Sequence, residues 1–260
     1  MLTNTKDIEQ VMKVVGTSPV RPDGVPKVTG MAQYGADYSL PGMLWAKVLR
    51  SPHAHARIKS INIKAAQAAP GVVDVLVGQD VADAKIGGLP CGWLITSTDG
   101  QPMKEPPHPI LALDKVRYVG DHVAMVVAET LEQAKNAAEL VDVDYEVLSA
   151  VVNVTKAAKA AALHDAAPDN HCYHWALGDK AQVDAAFAGA AHVTKLDLTN
   201  NRLIPNAMEP RAVIGHYSRA TDDYTLYVSN QNPHVERLLL TAFVMGLPEH
   251  KVRVIAPDVG

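Results

Sequence analysis

The stretch that most constrains the fold is the run from His122 to Val147. His122–Ala128 is short, apolar and rich in β-branched residues, which predicts a strand. Thr130-Leu131-Glu132-Gln133 then has the spacing of a capping box. The Thr130 hydroxyl can accept from the Gln133 backbone N–H, and the Gln133 side chain can reach back. Leu131, Ala134, Ala137, Ala138 and Val141 recur at helical spacing, so a helix should run to about Val141. Val143, Tyr145 and Val147 alternate with Asp142, Asp144 and Glu146, as in a strand buried on one side. This strand–helix–strand unit predicts a mixed α and β domain that closes near residue 150.

Upstream, Leu44–Arg50 and Ile61–Ile63 read as strands, Lys64–Ala69 as a short helix and Val72–Val77 as a buried strand. The many glycines and prolines between residues 83 and 109 predict a long surface loop. Residues 151–178 form an Ala-rich linker with a short helix. Lys180–Ala188 reads as a helix stopped by Gly189, and Ala191–Asn200 as a strand. Arg211–Tyr217 and Tyr224–Ser229 are strands joined by a polar turn. Asn232-Pro233 supplies an N-cap followed by proline at the first helical position. That helix should reach Met245, where Gly246 suits the residue after the cap. Lys251–Ala256 is the last strand, expected to lack partners and leave apolar edges exposed. The expected organisation is a lead-in at 1–24, a first domain at 25–150, a linker at 151–178 and a second domain at 179–260.

Composition bounds the function. The 260 residues are 48% hydrophobic and 20% charged, which excludes a disordered or collagen-like chain. A net charge of −4 argues against binding nucleic acid by phosphate neutralisation. Cys91 and Cys172 make neither a disulfide framework nor a ligand spacing, and fit a reducing compartment. Met1–Gln10 is polar with both charge signs, unlike a secretory signal, and no run of apolar residues is long enough to span a membrane. A soluble cytoplasmic protein is expected.

Candidate chemistry is sparse. His53 and His55 share one side of an extended segment, but support of a turn is the favoured reading over a zinc site. Glu209 lies two residues before Arg211 and reads as half of a structural ion pair. No GxSxG, P-loop or GxGxxG motif is present. Ser229-Asn230-Gln231-Asn232-Pro233 sits where a strand ends and a helix begins, a place where carboxamides can face a ligand. On pattern alone Gln231 faces solvent.

Several motifs, in one order from about residue 14, carry a family resemblance. Lys27-Val28-Thr29-Gly30-Met31-Ala32-Gln33-Tyr34-Gly35-Ala36-Asp37 and Arg50-Ser51-Pro52-His53-Ala54-His55-Ala56-Arg57-Ile58 resemble the start of a molybdopterin-binding subunit. Its family is that of xanthine dehydrogenase, aldehyde oxidase and aerobic carbon monoxide dehydrogenase. Arg117–Ala124, Ala134–Ala138 and Val143–Glu146 are similar to the later half of that family's α/β hammerhead domain. Ser229–His234 and Val252–Gly260 resemble the opening of its molybdenum-cofactor domain.

The resemblance implies an α+β fold: a hammerhead domain followed by the beginning of a mixed α+β molybdenum-cofactor-binding domain. It implies hydroxylation of an electron-poor carbon with water-derived oxygen, assisted by a glutamate base. The molybdenum is held by the dithiolene of a pterin. Electrons leave through iron–sulfur clusters to FAD on partner subunits of a hetero-oligomer. Two cofactor-binding residues carry over. Gln231 matches the glutamine that hydrogen-bonds a molybdenum oxo ligand, and Gly260 the first glycine of the Gly-Gly-Phe-Gly turn that approaches the metal. The resemblance places the catalytic glutamate outside this chain, so the chain alone is expected to be inactive. The rival expectation is a non-catalytic hammerhead module that serves assembly.

Overall fold

A computed structural model describes residues 13–201 and 203–260. The expectation for Met1–Gln10 therefore lies outside the described residues. In chain order the elements are α1 (Gly24–Thr29), β1 (Trp45–Arg50), β2 (Ala56–Asn62), α2 (Lys64–Gln67), β3 (Val72–Val77), α3 (Gly78–Asp83), β4 (Lys115–Val116), β5 (His122–Ala128), α4 (Leu131–Glu139), β6 (Asp142–Val147), α5 (Lys180–Ala188), β7 (Val213–Ser218), β8 (Asp223–Val228), α6 (Pro233–Leu239) and β9 (Val252–Ile255).

β5 organises the first half. It lies between β1 and β3 and is antiparallel to both. Val123, Ala124, Val126 and Ala128 are fully buried, as a strand covered on both faces demands. Ala124 and Val126 pack with Val75 of β3, Ala66 of α2 and Ala137 and Ala138 of α4. Val123, which points to the other face, joins Ala56, Ala112 and Val116 in a second cluster. That cluster lies against a second antiparallel sheet of order β4–β2–β6.

The capping box forms as its spacing predicts. Gln133 N donates to Thr130 Oγ1 at 3.2 Å, and Thr130 N donates to Gln133 Oε1 at 3.0 Å. Gly71, at φ +74°, turns the chain into β3 flush against the Gln133 carboxamide, so a side chain there meets both a strained backbone and a filled space.

The long loop is not free-standing. Thr98 N donates to His174 O at 2.8 Å and Lys104 N to Cys172 O at 2.9 Å. Lys104 also pairs with Asp169 at 2.8 Å. The linker is thus laced to the loop, with a cavity of about 380 Å³ at the seam lined by His108, Lys115, Arg117, Tyr118, His164 and Cys172. Its short helical piece is a 3₁₀ turn, Val154–Lys159.

The second half holds a three-stranded sheet of order β7–β8–β9. β7 and β8 are an antiparallel hairpin; β8 and β9 are parallel, with Tyr227 opposite Ile255. The last strand therefore has a partner, contrary to the expectation that it would lack one. The α6–β9 crossover carries it to the β8 edge, and Val252 is buried there.

Three further expectations change. Ala191–Asn200 is not a strand: it has no ladder partner among the described residues, and Leu196 and Leu198 are 75% and 82% exposed. Alternation of apolar residues does not suffice where no neighbouring edge accepts the backbone hydrogen bonds. The helix from Pro233 does not stay α-helical to Met245 but ends in a π-helical turn, Leu240–Met245. There Thr241 Oγ1 donates back to Arg237 O at 2.8 Å. α3, unforeseen, starts where Val77 N donates to Asp80 Oδ2 at 2.7 Å.

Three stability outcomes follow from these contacts. Thr130→Ala should cost about 1 kcal/mol in urea unfolding, by loss of the cap. Val126→Ala should cost about 2–3 kcal/mol, from lost burial plus a cavity. Burial first, and Arg117 second, hold the His164 imidazole below its usual 6.5. The unfolded chain then binds the proton more readily than the folded one, so this contribution is full above about pH 6.5 and is lost as pH falls below it. Urea midpoints measured between pH 7.5 and 5.5 should show that decline, and His164→Ala should shrink it.

Candidate functional site

β8 and β9 run parallel and adjacent, so the segments that leave their C-terminal ends emerge at one edge of the sheet. After β8 comes Ser229–Asn232; after β9 comes Ala256–Gly260. Gln231 and Gly260, 29 residues apart in the sequence, are thereby brought to the same end of the same strand pair. In open sheets this is where crevices for ligands arise.

Local chemistry fixes the first segment. Asn232 Oδ1 accepts from Val235 N at 3.3 Å and caps α6. Asn230 Nδ2 donates to Glu236 Oε2 at 2.9 Å. Both asparagines are committed to the turn. Gln231 between them is exposed, and its side chain has no hydrogen-bond partner among the described residues.

The second segment is tied from two directions. The N-terminal part of the chain supplies the first. Gln33 and Asp258 exchange two hydrogen bonds, Gln33 N to Asp258 Oδ2 at 2.9 Å and Asp258 N to Gln33 O at 3.1 Å. Lys27 Nζ donates to Val259 O at 2.8 Å. The strap from Gly24 to Tyr38 also touches the β8 side: Gly35 is buried against Ser229, and Tyr38 stacks on Tyr227 with centroids 5.8 Å apart. A Cβ at Gly35 would lie 2.7 Å from Ser229 Oγ, so the strap can seat there only as glycine.

Glu209 supplies the second direction. Gly260 N donates to Glu209 Oε2 at 2.7 Å. The expected Glu209–Arg211 ion pair does not form; this backbone amide takes its place. Glu209 Oε1 is buried and has no donor among the described residues. Sequence reading missed this role because its partner is 51 residues away.

His53 and His55 lie elsewhere, just before β2. His55 is 6% exposed, and its Nδ1 meets Ser149 O at 2.8 Å, so it does support the turn it begins. His53 packs edge-on against Tyr145. No group of three or more His, Cys, Asp or Glu among the described residues could hold a metal ion. The loop–linker cavity is lined by different elements from those that carry Gln231 and Gly260.

Comparison with known proteins follows the same division. Residues 29–149 match a family model described as the aldehyde oxidase and xanthine dehydrogenase a/b hammerhead domain. Residues 163–260 match one described as a molybdopterin cofactor-binding domain. The carbon monoxide dehydrogenase large chain of Afipia carboxidovorans is 36% identical over 95% of this chain and 31% of its own length. A probable xanthine dehydrogenase component of Bacillus subtilis is 34% identical over 94% of this chain and 30% of its own length. Among solved structures, reconstituted CO dehydrogenase from Oligotropha carboxidovorans superposes with a TM-score of 0.81 at 34% identity, covering 94% of this chain and 31% of that one. Quinoline 2-oxidoreductase from Pseudomonas putida 86 gives 0.78 at 34% identity, covering 94% of this chain and 30% of that one. The chain thus spans about a third of the length of these relatives. No helix among the described residues is long and apolar enough to cross a membrane. The two matched domains, in this order and on this fold, place the chain in the aldehyde oxidase and xanthine dehydrogenase family of molybdenum hydroxylase large subunits.

Proposed function

We propose that this chain is part of a cytoplasmic molybdenum hydroxylase that oxidises an aldehyde, an N-heterocycle or purine, or carbon monoxide. It works with iron–sulfur and FAD-carrying partner subunits in a hetero-oligomer. The organisation read from the sequence, a hammerhead domain at 25–150, a linker at 151–178 and a cofactor domain from 179, belongs to the same proposal. The observation that carries it is the convergence of Gln231 and Gly260 at one end of the parallel β8–β9 pair.

The residues present fit a pterin-held metal. Gln231 offers an uncommitted, exposed carboxamide. At Gly260 a Cβ would come within 2.7 Å of the Glu209 Cβ, so the backbone there packs directly on the Glu209 side chain. The orphaned Glu209 Oε1 is an acceptor awaiting a donor, and pterin rings carry N–H donors. When bound, the molybdenum centre supplies the two-electron oxidation with water-derived oxygen.

The chain's own residues bind and orient. With the group bound, the Gln231 carboxamide would donate a hydrogen bond toward it from outside the metal's ligand set. Asn230 and Asn232 hold the turn that presents Gln231. Lys27, Gln33 and Asp258 hold the turn that ends at Gly260. None of these residues is a general base; this chain's share of the work is positioning.

Two outcomes test the reading. The chain purified alone should hold less than stoichiometric molybdenum and reduce no dye with substrate; full loading with turnover would refute the division of labour. In a full-length large subunit assembled with its partner subunits, Gln231→Ala should lower molybdenum retention or turnover about 10–100-fold while leaving the unfolding midpoint unchanged. Wild-type metal content and turnover in that variant would remove Gln231 from the site.

A further inference from the structure

Glu209 belongs to no regular element, and composition gives it nothing to do but pair with a neighbouring cation. The geometry assigns it another task. Its Oε2 takes the Gly260 N–H at 2.7 Å, the short distance of a charge-assisted hydrogen bond. The approach is closer than that bond alone requires. A Cβ at Gly260 would stand 2.7 Å from Glu209 Cβ and 2.9 Å from Oε2, so the glycine backbone lies flat on the glutamate side chain. No ion pair to Glu209 is formed among the described residues, which leaves the carboxylate to the amide.

The residues that follow Glu209 are bound to the other segment of the site. Ser229 Oγ donates to Pro210 O at 3.2 Å, and Ser229 N donates to Ala212 O at 3.1 Å. Residues 209–212 therefore form a bridge. One end grips Gly260; the other grips Ser229, two residues before Gln231.

We propose that Glu209 is a positioning residue: its carboxylate pins the Gly260 amide and, through Pro210 and Ala212, sets the spacing between the Gly260 turn and the Gln231 turn. This rests on the reading of those two turns as the cofactor-facing side of the domain. A glutamine at position 209 keeps an acceptor for the amide; an alanine does not.

The test is ¹⁵N–¹H NMR of this chain as wild type, Glu209→Gln and Glu209→Ala. In the wild type the Gly260 amide proton should resonate downfield and be protected from exchange. Glu209→Ala should speed exchange at Gly260 at least about tenfold and shift the amides of Ser229 and Gln231, leaving Leu226 within β8 unmoved. Glu209→Gln should restore most of the protection. If Gly260 and Ser229 are unaffected in Glu209→Ala, or if Glu209→Gln is as disruptive as alanine, the assignment is wrong. Should Glu209→Ala disturb Leu226 as well, protection of the Gly260 amide in wild type and its retention in Glu209→Gln decide the matter. None of these readouts needs metal. An intact pin with no pterin retained in the assembled complex would sink the cofactor reading instead.

Discussion

From Ala124 to Ala128, β5 is paired along both edges and covered on both faces, which leaves nowhere to put a polar side chain. Val123, Ala124, Val126 and Ala128 are each fully buried; Ala124 and Val126 join one hydrophobic cluster and Val123 another. One cluster holds β3, α2 and α4; the other holds β2 and β4. Remove β5 and the two sheets of the first half lose both their shared wall and the partner of β1 and β3. Small residues dominate this core: Ala66, Ala124, Ala137 and Ala138 let helix and sheet approach closely. Burial of short side chains yields less per residue than burial of leucine or phenylalanine, so the unit depends on tight fit. That places the Thr130 capping box, which fixes where α4 begins, among the few local features that decide the packing.

The second half solves a different problem. Its sheet has three strands, and few of its residues are deeply buried; Thr241, Val244 and Val252 are the exceptions. Order at the C-terminal end of β8 and β9 comes instead from hydrogen bonds between remote segments. Residues 24–38 press on one side of the site and residues 209–212 brace the other. The site is thus built from polar ties of long sequence separation, whose strength depends on satisfied geometry more than on buried area.

That contrast explains what was legible in the sequence. β3, β5, α4 and α5 match the residues on which periodicity and capping placed them, because each is encoded within about ten residues. β2 starts at Ala56 rather than Ile61 because its first residues are set by pairing with β4 and β6, which no local pattern records. Ala191–Asn200 has the alternation of a strand but no partner edge, so pattern and outcome part there. α3 did leave a local signal, Asp80 three residues beyond Val77, which the chain of valines before it obscures. At the site, Asn232 as a cap was readable from Asn-Pro alone. Glu209 was not: its nearest cation in sequence suggested a partner that the fold does not use, and its actual partner is a glycine amide with no side chain to advertise it.

The strap from Gly24 to Tyr38 has a consequence for the order in which the molecule is made. It is synthesised early, but what it ties down is synthesised late. Lys27 and Val259 are 232 residues apart. At about 5–20 residues per second, the strap waits roughly 12–46 seconds after its own synthesis before its partner exists. Throughout that interval the hammerhead unit, complete by Val147, can close without it. Val25, Val28 and Met31 of the strap stay exposed even in the finished structure, so they lend it little apolar surface to dock on that unit by mistake. The strap acts as a late latch: vectorial synthesis delays the Lys27–Val259 tie until well after the first two sheets can form.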